Sequence, residues 1–483
     1  MFGTFLKKDF KQKTIKGVLW SSVERFSVQG AQFVFSILFA RLLVPEDYGV
    51  IGMIGVFLAI SQSLINSGFA NALIQKKNRT ETDYSTVFYF NIFAGIFFYF
   101  LLFFFSPHIA LFYNMPSLST ITKVVALELV FNSLSIVQRA KLSIELNFKS
   151  QAKAGFISTI LSGLAGLFVA YHGFGVWALV VQSVSGTFIS TALLFIIVRW
   201  KPLPVFSKES FSKLFSFGSK LLAAGLIETL YNNVHTLVIA KKYNASDLGI
   251  YSKSDKLTSF MPVNLTGILQ KVTFPLLSSI QDDKEQLIEA YRKYLRLSAF
   301  ITFPLLLGLA AIAKPFVVLL LTEKWIEIIP LLQLLCLSYI WHPVHVINLN
   351  LLQVTGRPDL FLRLEIIKKV LGILILIVTL PFGIKALCAG KILSGFISLF
   401  INTYYTGKFF ALGFVKQLKD LFPTLLCSLS MAFVSYTICN LFPKNNFLSL
   451  LLGIISGIFY YFIINIIFKS KELKTLMNIF RGL

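Results

Sequence analysis

Residues 85–105 read STVFYFNIFAGIFFYFLLFFF, twenty-one positions without a charged side chain. A helix needs about 20 mostly apolar residues to cross the hydrocarbon of a bilayer, and this stretch meets that length without interruption. Its surroundings are similar. Of 483 residues, 56% are hydrophobic and 14% charged, and Phe alone supplies 50. A soluble protein carries about a quarter charged residues, so a soluble enzyme is excluded. Lipid is the solvent for most of this chain.

The same criterion finds fourteen stretches: 15–40, 49–74, 85–105, 119–138, 154–171, 176–198, 215–240, 256–274, 297–313, 328–351, 364–380, 384–406, 421–442 and 448–468. The fold expected is an all-α integral membrane protein of about 14 transmembrane helices. Lys7, Lys8, Lys11, Lys13 and Lys16 precede the first stretch. That stretch is too long for a signal-peptide core and ends in no small-residue cleavage site, so it reads as a retained span. The four cysteines (Cys336, Cys388, Cys427, Cys439) lie in apolar stretches without metal spacing and read as packing residues.

A net charge of +23 would suggest nucleic acid in a soluble chain. In a membrane protein, Lys and Arg collect in cytoplasmic loops instead. Counted with adjoining helix ends, the two termini and the alternate loops on their side hold 31 of the 45 Lys and Arg. The opposite loops hold nine, and five lie within spans. Both termini are therefore expected in the cytoplasm, with 241–256 a dissenting outer loop that carries Lys241, Lys242, Lys253 and Lys256. In the inner loop 275–296, Asp282-Asp283 and the Glu289–Lys293 pair predict a short surface helix.

An internal similarity appears at an offset of 200. Ala40-Arg41 with Asp47 and Gly49 recurs as Ala240-Lys241 with Asp247 and Gly249. Gln29, Gln32 and Ser36 fall opposite Thr229, Asn232 and Thr236. Both copies sit at the outer end of an odd-numbered span, as a parallel repeat requires. The organisation expected is a cytoplasmic amphipathic N-terminus (1–14), two pseudo-symmetric six-helix lobes (15–200 and 201–410), a helix pair (411–468) and a cytoplasmic tail (469–483). Asp47 and Asp247 are expected to cap the following helices, and Gly49 and Gly249 to permit close backbone approach.

Charged groups at the centre of a span cost roughly 2.5–3.5 kcal/mol each on insertion scales, so they face a cavity or a partner. In the first span Ser22, Arg25, Gln29, Gln32 and Ser36 form one polar stripe. The seventh span carries Glu228, Asn232 and His235, with Lys220 near its inner end. Substrate-facing candidates are Arg25, Gln29, Gln32, Asn66, Glu228, Asn232, Asn264 and Lys271, with Lys123, Glu128 and Lys391 as further intramembrane polar groups. Plainer roles compete. Lysines snorkel to interfaces, and Glu24 or Glu228 can neutralise a neighbouring cation. His342 and His345, with Asn348 a turn further on, make a weak proton or metal site and a better hydrogen-bonded core. Signatures of hydrolases, zinc proteases and nucleotide-binding loops are absent from the sequence, so the chain reads as a transporter and not an enzyme.

Several stretches resemble the polysaccharide-transporter branch of the multidrug/oligosaccharidyl-lipid/polysaccharide exporter superfamily, of the colanic-acid and teichuronic-acid exporter type. They are Gly17-Val18-Leu19-Trp20, Ala40-Arg41-Leu42-Leu43-Val44-Pro45-Glu46-Asp47-Tyr48-Gly49 and Ala72-Leu73-Ile74-Gln75-Lys76-Lys77. Phe274-Pro275-Leu276-Leu277-Ser278-Ser279-Ile280-Gln281-Asp282-Asp283, Glu323-Lys324-Trp325 and Gly356-Arg357-Pro358-Asp359-Leu360 continue the likeness in order. The last two spans are merely apolar.

The resemblance implies two lobes around a central cavity. It implies flipping of undecaprenyl-diphosphate-linked oligosaccharide across the bacterial inner membrane, by alternating access, for O-antigen, capsule or exopolysaccharide synthesis. Arg25 matches a position where relatives place a cavity cation. The partners implied are the lipid-linked oligosaccharide, membrane lipids and the polysaccharide polymerase and export machinery, with no nucleic acid. No cofactor is implied, and a proton or sodium ion stays open as the coupling ion. The alternatives are a multidrug or organic-cation antiporter of the same superfamily, which needs anionic cavity residues, and a polyprenyl-linked polymerase or ligase, which needs a large outer loop.

Overall fold

The computed structural model describes residues 27–66 and 68–481. Among them every regular element is helical. Residues 27–42 form α1. There follow α2 (Pro45–Asn66), α3 (Phe69–Gln75), α4 (Glu81–Phe112), α5 (Ser117–Val125), α6 (Leu127–Ile144), α7 (Phe148–Tyr171), α8 (Trp177–Val198) and α9 (Lys208–Lys242). The chain continues with α10 (Ala245–Ser279), α11 (Lys284–Ala311), α12 (Ala313–Leu321), α13 (Ile328–Tyr339), α14 (His342–Val354) and α15 (Pro358–Thr379). It ends with α16 (Ile384–Phe410), α17 (Phe414–Leu441), α18 (Asn446–Ile467) and α19 (Lys471–Arg481). Ten helical segments of the described residues are long and apolar enough to cross a membrane. α9, α10 and α15 match them in length but carry more charge. The start of the first expected span lies outside the described residues.

Two expectations need correction. The outer loop 241–256 does not exist as a loop, because α9 runs to Lys242 and α10 starts at Ala245. Asn244 makes the short turn possible by accepting the Asp247 N–H at 2.8 Å, an N-cap that lets the helix restart at once. Lys253 is thus a helical residue, 3% exposed, with its ammonium 5.9 Å from the centre of the Trp325 ring. The second correction concerns 275–296. Asp283 does cap a helix, accepting the N–H groups of Glu285 and Gln286 at 3.1 and 3.0 Å. That helix is not a separate surface piece but the start of α11, which runs through Pro304 to Ala311.

The described residues up to Gly249 cluster as one compact unit and those from Ile250 as a second. In the first unit α1 is seated by small residues on α7. A Cβ on Gly163 would lie 2.5 Å from the Phe35 ring, and one on Gly166 would lie 2.7 Å from that of Phe39. Helices in lipid associate by close packing, with no water to expel, so glycine grooves of this kind set which faces meet. At one end of this unit the start of α4 is tied down by charge. Lys76 meets Asp83 at 2.6 Å, Lys141 meets Glu81 at 3.1 Å, and the Trp200 indole N–H donates to Glu81 at 2.6 Å. Ser85 and Thr86 accept the backbone N–H groups of Leu203 and Ser207, which pins the segment between α8 and α9. Lys76 of the Gln75-Lys76-Lys77 motif therefore has a structural role.

The offset-200 repeat appears in the helix boundaries. α1 ends at 42 and α9 at 242; α2 begins at 45 and α10 at 245. The glycine expectation holds with an added symmetry. A Cβ on Gly49 would run into the carbonyl oxygen of Ala245, and one on Gly249 into that of Pro45. Capping differs slightly from expectation. Asp47 accepts the Val44 N–H at 3.1 Å from the third helical position, whereas Asn244 and not Asp247 supplies the cap of α10. A second repeat escaped the sequence reading: Phe174-Gly175-Val176 with Ala178-Leu179 recurs as Phe382-Gly383-Ile384 with Ala386-Leu387. Both glycines have positive φ, +51° and +93°, and each leads into a helix, α8 and α16.

The second unit is held by buried polar networks. Tyr291 donates to Asn348 at 2.9 Å, and Asn348 and Gln417 exchange amide hydrogen bonds at 2.9 Å. Thr406 adds a bond to Asn348 at 3.1 Å. Arg292 grips Asp420 through two bonds of 2.7 and 2.6 Å. α18 is not merely apolar, for its buried face runs Ser449, Gly453, Gly457, Tyr461 and Asn465, one residue per turn against α17.

Candidate functional site

In the first unit, α1 presents the described part of its polar stripe beside the face packed on α7. Gln29 and Ser36 are half-buried and Gln32 is exposed. Ser22, Glu24 and Arg25 lie outside the described residues. α2 and α9 run antiparallel. Gly218 stands against Gly68, where a Cβ would lie 2.6 Å from the Gly218 carbonyl oxygen, and Ser63 stands against Gly225. This pair carries three further candidates, Asn66, Glu228 and Asn232, all exposed. Asn66 accepts a bond from Gln62 at 3.4 Å. Thr229 and Asn233, which border Glu228 and Asn232 in sequence, instead bond the carbonyl oxygens of Gly225 and Thr229 on their own helix. A polar side chain exposed in the middle of a spanning helix is stable only where water or a polar ligand reaches it. Gln32, Glu228 and Asn232 are exposed along α1 and α9, and Asn66 at the end of α2.

The candidates in the second unit behave differently. The Asn264 amide donates to Phe260 O of its own helix at 2.8 Å. The side chain of Lys271, like that of Lys220, lies outside what the structure describes. Lys391 is engaged: its ammonium donates to Asp255 at 2.8 Å and to the Tyr251 hydroxyl at 3.1 Å, and Tyr339 donates to the same Asp255 oxygen at 3.0 Å. Asp255 was missed because it falls in the segment read as a loop. The available signal was Lys391 itself, a cation in a span that required an acid. His342 contacts Thr266 at 3.3 Å and His345 contacts Asn402 at 3.2 Å; Asn348 belongs to the core network. The histidines thus sit in hydrogen-bonded packing. Among the described residues no group of three or more His, Cys, Asp or Glu is arranged to hold a metal ion.

Two of the remaining sequence features also turn out structural. Arg357 closes a fork on Asp359 at 3.0 and 2.9 Å, and these hydrogen bonds hold the Asp359 carboxyl below its usual range. Lys123 lies 4.9 Å from the Phe103 ring centre, a cation–π contact. All four cysteines are buried and unbridged, consistent with packing.

Comparison with known proteins bears on the whole chain. An uncharacterized membrane protein in the cps region of Klebsiella pneumoniae is 28% identical over 489 residues, 98% of this chain and 99% of that protein. Lipopolysaccharide biosynthesis protein WzxC of Escherichia coli K12 is 30% identical over 371 residues, 75% of this chain and 74% of its own length. Among solved structures, lipid II flippase MurJ in an inward closed conformation superposes with a TM-score of 0.75 at 18% identity. The match covers 93% of this chain and 98% of that one, a likeness of fold. The family model described as "Polysaccharide biosynthesis protein" matches residues 38–330. With more than half its length matched by that model, the chain belongs to this family of polysaccharide biosynthesis membrane proteins.

Proposed function

We infer that this chain is a membrane transporter, not an enzyme, that flips lipid-linked oligosaccharides for surface polysaccharide synthesis. Family membership supports the substrate class. The observation that carries the reading is the set of exposed polar side chains on α1, α2 and α9. Sugar hydroxyls are matched by Gln32, Asn66 and Asn232, and a diphosphate needs a cation. Arg25, four residues before Gln29 in the stripe read from the sequence, fits that need because a guanidinium can grip phosphate oxygens in a fork.

The finer picture has five parts. Two lobes, 15–200 and 201–410, alternate access to a cavity lined by Arg25, Gln29, Gln32, Asn66, Glu228, Asn232, Asn264 and Lys271. Fourteen spans place both termini in the cytoplasm of the bacterial inner membrane, with the Glu81 end of α4 inside and the Ser117 end of α5 outside. Either a proton or sodium gradient or downstream consumption of the product supplies the energy. A polysaccharide polymerase and export machinery take the product. The lipid is an undecaprenyl diphosphate.

Deletion of the gene tests the function. The lipid-linked oligosaccharide should accumulate on the cytoplasmic leaflet while surface polysaccharide disappears. Unchanged surface polysaccharide would refute the reading. For topology, Ser278→Cys and Ser117→Cys should react with an impermeant thiol reagent from opposite sides, and reaction of both from outside would refute the orientation.

A further inference from the structure

At the end of α4 away from the Glu81 cluster, the first unit contains a cavity of about 430 Å³. It is framed by the first turns of α2, α5 and α8. Its polar wall is Glu46, Asp47, Ser117 and Thr120, and Trp177 and Met115 stand among its apolar groups. That volume lies within the range of small-molecule sites, which pair apolar lining with a few placed polar groups.

The chemistry of the lining narrows the ligand. Asp47 is held in place: one carboxylate oxygen accepts the Val44 N–H at 3.1 Å, and the other faces Gly175. A Cβ at position 175 would lie 3.1 Å from that oxygen, so the bare glycine keeps it accessible. Glu46 is exposed beside it and takes no part in the ion pairs found among the described residues. Two carboxylates accept hydrogen bonds and repel anions, so the ligand must bring donors and cannot be the diphosphate. Ser117 and Thr120 both donate and accept, which suits hydroxyl groups better than a bare cation. The half-buried Trp177 offers an apolar ring with a polar edge. A molecule with a ring of hydroxyl donors and a C–H face matches all of these: a sugar.

We propose that this cavity is a saccharide subsite that receives part of the glycan at the outer end of the first unit, apart from the polar groups of α1, α2 and α9. It rests on the flippase reading and adds to it a place where the glycan, and not its phosphate, is recognised. The second repeat puts Lys385 where Trp177 stands, so the corresponding position before α16 lacks the aromatic wall.

The test uses the full chain in its own membrane. Thr120→Cys is labelled from outside with an impermeant maleimide, in cells that make the lipid-linked glycan and in cells lacking the first glycosyltransferase. Occupancy of about two-thirds slows labelling about threefold in the glycan-making cells. Tyr171→Cys, 80% exposed at the end of α7, should label equally in both. Trp177→Ala or Glu46→Gln should remove the protection at Thr120→Cys. Should Thr120→Cys fail to accumulate, Ser117→Cys replaces it. Equal labelling of the cavity cysteine in both strains overturns the subsite, as does protection that persists without glycan, which would mark a different ligand, or no labelling from outside at all. The gene deletion separates the two readings. Glycan stranded inside by the deletion with no cavity protection removes the subsite alone; no stranded glycan removes the flippase reading.

Discussion

Polar residues within the membrane helices are of two kinds in this molecule, and the two units contrast them. In the second unit two networks satisfy their own members. Asn348, Gln417, Tyr291 and Thr406 close a network, and Asp255 takes Lys391 with two tyrosines. In the first unit Gln32, Asn66, Glu228 and Asn232 are left exposed. A closed network stabilises the fold and has nothing to offer a substrate, while an exposed group costs stability unless a ligand or water meets it. Polarity at membrane depth is therefore not enough to mark a transport site. We take as its mark polarity that the protein leaves exposed.

The contrast can be broken by substitution. The largest loss of folded protein is expected from Asn348→Leu, which strands Tyr291, Thr406 and Gln417 at a cost of about 3 kcal/mol or more. Abundance in membranes should fall steeply, with export falling only in proportion. Export lost at full abundance would place Asn348 in the transport machinery instead. Next is Asp255→Leu, which leaves Lys391 without its acid and should cost on the order of 2 kcal/mol. The double variant Asp255→Leu with Lys391→Met should recover most of that abundance. If both variants accumulate normally and neither exports, the pair belongs with the exposed groups and the contrast fails there.

Much of this was legible in the sequence, and the misses share a cause. Apolar runs such as 85–105 gave the helices because length and composition alone decide whether a segment spans. Gly49 and Gly249 announced the repeat, and the reciprocal approach to Ala245 and Pro45 gives its reason. Asp255 and the α18 stripe from Ser449 to Asn465 were not read. In both, the signal is which neighbour a side chain meets, and hydropathy carries no such information. Trp177 was unremarkable for the same reason: its cavity is assembled from three helix ends distant in sequence.

The smallest effect on folding is expected where the groups are exposed. Glu228→Gln and Asn232→Ala should leave abundance unchanged within about 0.5 kcal/mol of stability, and export should fall severalfold. A fall in abundance matching the fall in export would show that these side chains are structural after all, and the two units would no longer differ.

The most direct measurement is translocation by the purified chain in liposomes containing lipid-linked oligosaccharide, read as the fraction open to an impermeant glycosidase. The wild-type chain should expose the inner-leaflet pool that empty vesicles protect. Arg25→Ala should slow that exposure about tenfold or more, the loss of one charge-assisted phosphate contact, with Arg25→Lys intermediate. Digestion by the wild-type chain that stops at the empty-vesicle level would contradict the account, and an Arg25→Ala rate equal to wild type would remove that residue from it.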